Sequence, residues 1–550
     1  YSIGCCHELI SALEKNINIY TQEMKILTIQ DALIKLNRSV TQYKSIDNES
    51  ARKMQKIIKK LEGYTNNNVK ELMIKSANYM KDEKLDLLIS NEIANIAQFV
   101  SFEPNIDLVP KYIHINNFND NDFLSNKEII IKLIEAAPSK CVNIRSFSLG
   151  SMKGNKLIFG KGIEQVEEIL SIIESNSLNG KHTIINENIP VDDGGVSGVA
   201  LGNVIEFSPE DTPKCVDKEG VCTLPRDIAL KILGNVYGIS PDLKFDPNFR
   251  IEFSLHPIRQ GVSKQHTIIW EYEYYEKSIS EKGVLWPNRF SKFIGDKVFG
   301  LLLADALGIM VPRTTVIARK VAPFTFGLET GLKEKWFRTC PVTKEPGKYY
   351  SDKGWTDPFK LIDLEEKGGV DKSGAEKNGE EKGGDNRINI ASIISQDAVE
   401  AVYSGAAIIA ENRNNDIIEG VHGNGDKFML GKQKKEKLPT KVIHSVMNLN
   451  DKLRMYNKYL GNINIEWVYD GTNVWLLQLN QIKNNYTKYS KHVIVDGNPI
   501  HYKKVYTNDG LEALREKIKL LKDKNIGIEL VGNVGITSHF GDLLRLADIP

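Results

Sequence analysis

The sequence predicts a multi-domain α+β protein, on three observations. At 550 residues the chain is long enough for about three or four domains with cores of their own. Its apolar rhythm changes near residue 105, from spacings of three and four to short strands broken by Gly and Pro turns. Short words in the middle of the chain also recur further on in the same order. Composition excludes more than it names. Hydrophobic residues make up 41% and charged residues 26%, an ordinary globular balance. A net charge of +1 provides no global field for nucleic acid or an anionic membrane, so neither is expected as a partner. The six cysteines include no CxxC pair, which fits a reducing compartment. Cys5, Cys6 and His7 form a grouping that could hold a metal, with no second cluster beside it. With neither a charged-then-apolar leader nor a long uncharged apolar run, the expected location is cytoplasmic. The first residue is Tyr1 and not Met, so the sequence could be a piece of a longer chain.

Residues 1–104 follow a helical spacing and reach their first proline at Pro104, which predicts an α-helical domain of unknown role. Residues 105–284, with "KHTIINENIPVDDGGVSGVALGNVIEFSP", predict an α+β domain. Residues 285–485 form the next domain, where "GDKVFGLLLADALGIMVPRTTVIA" reads as a helix, a proline turn and a strand. Within it, 365–387 is charged, glycine-rich and without apolar anchors, so a mobile loop is expected. Residues 486–550 form the last domain, with a hinge expected near 485–495. It ends "GNVGITSHFGDLLRLADIP", where Thr537 or Ser538 would cap a short helix with His539 in its first turn. The recurrent words are "IRSF", "VSGVA", "VIEF" and "RIEF", answered by "FRTC", "YSGAA", "IIEG" and "NIEW". Glu206 to Glu252 is 46 residues and Glu419 to Glu466 is 47, as an internal duplication would give.

Chemistry concentrates in the second copy. "NIEWVYDGTNVWLLQLNQI" reads as two strands joined by a turn at Asp470 and Gly471. Alternation sets Ile465 and Trp467 on one face and Glu466 on the other, with Gln478 on the return strand. A carboxylate beside an amide offers hard oxygens to Mg²⁺. Lys297 before an apolar helix and Arg338 at a strand end add cations suited to phosphate.

In order, "GDKVF", "GIMVPRTTVI", "FRTC", "YSGAA", "NIEW" and "LQLNQI" resemble the nucleotide-binding domain of the pyruvate phosphate dikinase and phosphoenolpyruvate synthase family, an ATP-grasp fold. The resemblance spans about 285–485 and implies that Lys297 and Arg338 grip ATP phosphates while Glu466 and Gln478 hold Mg²⁺. Asn480 stands where the family has arginine, and "RTC" replaces its Arg-Ser-Ser. The terminal turn resembles the N-terminal part of the family's swivelling phosphohistidine domain: Gly535, Thr537, Ser538, His539, Arg545, Ile549 and Pro550 fall at the family's spacings. This implies catalytic roles for His539, Thr537 and Arg545, with the helix N-terminus stabilising a phosphoryl group. Val534 replaces the family's second glycine, and Asp542 stands one turn from His539 in place of an apolar residue. The family's domain continues beyond the position of Pro550, so this one is expected to be truncated or incomplete. The first copy resembles the family's distal lobe, with no lysine-helix-proline unit before it. There Glu187, Asp192 and Asp193 could be ligands, though Asp-Asp-Gly-Gly is more often only a turn, and Arg145, Glu206, Glu252 and His256 could serve a second nucleotide or an acceptor, or be core polar residues or surface ion pairs.

The function implied is an ATP-dependent phosphotransferase, a kinase of the dikinase type. It would use ATP and Mg²⁺ and pass a phosphoryl group through His539 to an unidentified acceptor, a small molecule or a separate protein. The alternatives are an ATP-grasp ligase that makes an acyl phosphate and a non-catalytic nucleotide-sensing or scaffold protein.

Overall fold

The computed structural model describes residues 68–104, 107–118, 125–148, 151–212, 219–275, 283–342, 349–366, 390–482, 493–521 and 524–550. Cys5, Cys6 and His7, most of the expected helical domain, nearly all of the 365–387 loop and most of the 485–495 hinge lie outside them. The architecture is mixed α+β with several antiparallel sheets. Two compact units divide the chain, the first from 1–202, 210–214 and 241–279, the second from 203–209, 215–240 and 280–550. Residues 203–209 and 215–240 cluster with the second unit.

In the first unit, helix α1 (Lys81–Ser90) leads into strands β1 (Phe99–Phe102) and β2 (Pro110–His114). Helix α2 (Asn126–Ala136), β3 (Cys141–Ser148), β4 (Ser151–Gly162), α3 (Val166–Leu178), β5 (His182–Glu187) and β6 (Val196–Leu201) follow. A sheet of order β2-β1-β5-β3-β4 is covered by α2 and α3, which bury Ile130, Leu133, Ile169 and Ile173 against Val100, Ile144 and Ile185. Helix α2 starts at Ser125, whose hydroxyl accepts from the Glu128 amide while the Glu128 carboxylate accepts from the Ser125 amide. Strand β6 pairs with β9 (Phe249–Leu255), and β9 with β10 (Thr267–Tyr274). Strand β1 therefore lies inside the stretch read as wholly helical. Its four residues are all buried, so no alternation marks them as a strand.

The second unit begins with the hairpin of β7 (Val204–Pro209) and β8 (Cys222–Pro225) and with α4 (Arg226–Tyr237). Helices α5 (Arg289–Ile294) and α6 (Asp296–Ala306) precede β11 (Thr314–Ala318) and β12 (Phe324–Phe326). Then come β13 (Lys335–Pro341), β14 (Ser351–Lys353), α7 (Pro358–Glu366) and β15 (Ile390–Asp397) in one sheet of order β12-β11-β15-β13-β14. A four-stranded sheet of order β17-β16-β18-β19 combines β16 (Tyr403–Ile409), β17 (Ile417–His422), β18 (Ile463–Tyr469) and β19 (Val474–Gln481), with α8 (Thr440–Arg454) packed against it. The chain ends in a βαβ unit: parallel strands β20 (Tyr502–Tyr506) and β21 (Gly527–Val531) flank α9 (Gly510–Leu521), and α10 (His539–Ala547) closes a core of Leu511, Leu514, Ile528, Phe540 and Leu544.

The two units share one strand order. β2-β1-β5-β3-β4 matches β12-β11-β15-β13-β14 place for place, and β10-β9-β6 matches β19-β18-β16. Helix α1 packs on β10 and precedes β1 just as α6 packs on β19 and precedes β11. A helix with a lysine in its first turn thus precedes the first copy, without the proline turn that follows α6. Its correspondence to α6 was hidden because its flanks share the helical rhythm of residues 1–104.

Candidate functional site

The four-stranded sheet presents its polar side chains in rows. Register pairs Glu419 with Ala406, Ala406 with Glu466, and Glu466 with Gln478, so these side chains emerge on one face. The next row on that face holds Ile417, Ile408, Asn464 and Asn480. Ile465 and Trp467 face the other way and are buried, as alternation requires. The hairpin between β18 and β19 turns at Gly471 (φ 100°), where the Asp470 carboxylate accepts from the amides of Thr472 and Asn473 and from the Trp475 indole. The Glu466 carboxylate has no hydrogen-bond or ion-pair partner among the described residues.

Lys297 and Arg338 come from α6 and β13. Helix α6 packs on both β19 and β13, so close at Gly300 that a Cβ there would stand 2.3 Å from the Leu479 carbonyl oxygen. Lys297 lies about one turn before that contact and Gln478 one residue before it, which draws the two toward one region. At its N-terminus α6 is fixed by Ser291, whose hydroxyl donates to Asp296 Oδ1 at 2.6 Å, and by Ser392, which donates to the Ile294 carbonyl at 2.6 Å. Lys297 and Arg338 both act on the Cys340 thiol. Burial pushes that thiol up to about 11 while the two cations and the Ser392 hydrogen bond pull it down. Cys340 is thus a protonated packing residue.

The terminal turn docks on the polar face of the four-stranded sheet. The Thr537 amide and hydroxyl donate to Glu419 Oε2 at 3.0 and 2.9 Å, and Lys435 Nζ donates to Glu419 Oε1 at 2.7 Å. Gly535 is required beneath this contact, since a Cβ would fall 2.7 Å from Glu419 Oε2. Ser538 occupies the N-cap position of α10, but its hydroxyl turns back to donate to the Gly535 carbonyl at 2.6 Å and caps no helix amide. Asp542 is held by Asn464 Nδ2 and Arg545 Nη2, both donating to Oδ1 at 2.9 Å, while its Oδ2 stands 3.5 Å from His539 Nδ1. Arg545 also donates to the Ile536 carbonyl, so it braces the turn and the carboxylate. His539 Nδ1 is buried without a hydrogen-bond partner. Along β18, Asn464 and Glu466 are roughly 7 Å apart; across two strands, Glu419 and Glu466 are roughly 10 Å apart. His539 and the Glu466 row therefore share one neighbourhood. Glu419 and Asn464, which make the dock, were missed as site residues. Glu419 had one signal, its place in the 47-residue step to Glu466.

The residues of the first copy behave differently. Glu187 is buried, accepts from the Gln98 amide and side chain at 2.7 and 2.9 Å, and is pushed up to about 7 by burial against the pull of those bonds. His256 joins Asp193 at 3.1 Å to Ser254 Oγ at 2.9 Å, the order of a nucleophile relay. All three are buried, and Ser254 Oγ also accepts from the Trp270 indole at 2.7 Å, so the chain is a structural network and no nucleophile. Asp192 and Asp193 lie in the irregular segment before β6, where the Gly195 amide donates to Asp193 Oδ1 at 3.1 Å. Among the described residues no group of three or more His, Cys, Asp or Glu could hold a metal ion, and no helix is long and apolar enough to cross a membrane.

No known protein-family profile matches the chain. No curated protein matches it. Among solved structures, the crystal structure of the macrocyclase MdnB from Microcystis aeruginosa MRC aligns with 36% of this chain and 55% of its own, at 11% identity and a TM-score of 0.19. The match thus spans about half of the macrocyclase, and a score this low says nothing about what this chain does.

Proposed function

We propose that the chain is an ATP-dependent phosphotransferase of the dikinase type, with His539 carrying the phosphoryl group to an acceptor that is a small molecule or a separate protein. The observation that supports this most is the docking of the His539 turn, through Glu419 and Asn464, on the sheet face that carries Glu466 and Gln478. In this reading Lys297 and Arg338 hold the phosphates. Glu466 and Gln478 would offer Mg²⁺ a pair of hard oxygens. When bound, the ion would neutralise phosphate charge and orient the leaving group.

Asp542, its charge already answered by Arg545, stands 3.5 Å from His539 Nδ1, and in this reading Nε2 is the nitrogen that takes the phosphoryl group. The Nε2 lone pair attacks the β-phosphorus, the bond from that phosphorus to the oxygen bridging the α-phosphate breaks, and AMP leaves. Water then cleaves the β–γ linkage, releasing phosphate and leaving phosphohistidine. Catalysis here is mainly positioning and charge stabilisation.

Product analysis tests the reading. AMP and phosphate are expected; ADP with a carboxylate acceptor would indicate a ligase, and no product a sensor. In calorimetry, Lys297→Ala and Arg338→Ala should each remove a charge-assisted contact worth about 1.5–3 kcal/mol, weakening ATP about ten- to hundredfold. Unchanged affinity in both variants would take the two residues out of the site.

A further inference from the structure

The first unit holds a side-chain set that this function does not use. On β9, Glu252 lies between Val199 of β6 and Glu271 of β10, as Glu466 lies between Ala406 and Gln478. Lys81 is the first residue of α1 and Lys297 the second of α6, and Lys81 Nζ stands 2.5 Å from Glu271 Oε2. Arg145 on β3 faces Ile184 of the central strand, as Arg338 on β13 faces Ile394. Arg145 and Glu252 are both close enough to act on the Lys81 ammonium, and Arg145 acts on Glu271 as well. Four side chains at matched places in the strand order thus converge within the first unit.

An ordinary structural ion-pair network explains this set poorly. Lys81 and Glu271 keep only 16% and 18% of their side-chain surface, and Glu252 is buried. Taking such charges out of water costs about as much as the pairing returns, so stability alone gives little reason for them. The charges are also uneven. Lys81, Lys84, Arg145 and Arg250 surround Glu252 and Glu271, and the exposed Glu273 opposite Arg250 does not cancel the excess. A net positive cluster around one buried and one half-buried carboxylate is the chemistry of a polyphosphate with its divalent cation, the cations on phosphate oxygens and the carboxylates on the metal.

We propose that the first unit carries a second site for a nucleoside polyphosphate and its divalent cation, formed by Lys81, Arg145, Glu252 and Glu271. The assignment of the ligand class rests on the nucleotide reading of Lys297, Arg338, Glu466 and Gln478. Where the second unit has the neutral Gln478, the first has Glu271, and Lys81 neutralises it when no ligand is present. Occupancy of the first site therefore requires the divalent cation more strictly.

The test is the stoichiometry of a non-hydrolysable ATP analogue with Mg²⁺ on the full chain, by equilibrium dialysis. Wild type should bind two, and the Lys297→Ala/Arg338→Ala variant should retain one. The paired change Lys81→Gln/Glu271→Gln, which leaves no buried charge unpaired, should also retain one; Arg145→Gln should weaken the same site about tenfold or more. Wild type binding one analogue that Lys297→Ala/Arg338→Ala abolishes would overturn the second site and spare the first reading. One analogue unaffected by that variant but lost in Lys81→Gln/Glu271→Gln would uphold the first-unit site and overturn the second-unit one. No binding at all would overturn both.

Discussion

The first unit answers its candidate ligands internally, Lys81 on Glu271 and Arg250 on Glu252, whereas the second leaves Glu466 without a partner and sets the neutral Gln478 beside it. The backbone frame is the same in both, five strands in one order with a lysine at the start of the preceding helix. A duplicated frame therefore fixes where side chains stand but not how they are charged. A paired set is at ease when empty and must exchange partners to bind; an unpaired set is ready for a cation but depends on neighbours for stability. In the second unit those neighbours include the terminal turn, which Glu419 and Asn464 hold on the same face.

The strongest way to break this contrast is to undock the turn. Glu419→Ala removes the acceptor of two buried Thr537 donors and should cost about 2–4 kcal/mol by denaturant unfolding. Amide exchange should accelerate over 535–545 and stay unchanged in β9 and β10; uniform acceleration would mean that the turn is no separate dock. A smaller effect comes from Glu187 in the first unit. Because its folded value of about 7 is raised above the ordinary carboxylate range, the folded state holds a proton that the unfolded state has lost. Stability should therefore fall as pH rises from about 4.5 through about 7, by about 1–3 kcal/mol in total. Glu187→Gln should flatten that slope in pH-dependent unfolding, and an unaltered slope would place the titration elsewhere. Gln478→Glu gives the second unit the first unit's carboxylate pair. It should weaken ATP about tenfold in metal-free buffer and much less with Mg²⁺ present. Equal weakening in both buffers would separate Gln478 from the metal. Lys127→Ala, which breaks the exposed pair with Glu167, should change stability by less than about 0.5 kcal/mol in either direction.

What the sequence revealed depended on how local the signal was. The Glu466–Gln478 pairing was legible because alternation on two strands and one Asp-Gly turn fix a hairpin's register. Helix α6 was legible because an apolar run ends at Gly308, whose φ of 76° suits glycine, before the Val-Pro turn. The repeat words fell on corresponding strands, while α1 was legible only as part of a uniform helical stretch upstream of the words. The dock was not legible, since Thr537 and Glu419 are 118 residues apart and no periodicity links them. The buried Asp193–His256 pair was likewise hidden in a turn motif that is usually solvent-facing.

The most direct test of the account is the fate of label from ATP. The full chain is incubated with Mg²⁺ and ATP labelled at the β- or the γ-phosphate, and protein-bound label is assayed for the acid lability and base stability of phosphohistidine. The account predicts label from the β position on wild type, and none on His539→Asn, whose ATP affinity should remain nearly unchanged because the histidine serves the transfer rather than the phosphate grip. Label that persists on His539→Asn, or wild type that binds ATP and takes no label, would contradict it.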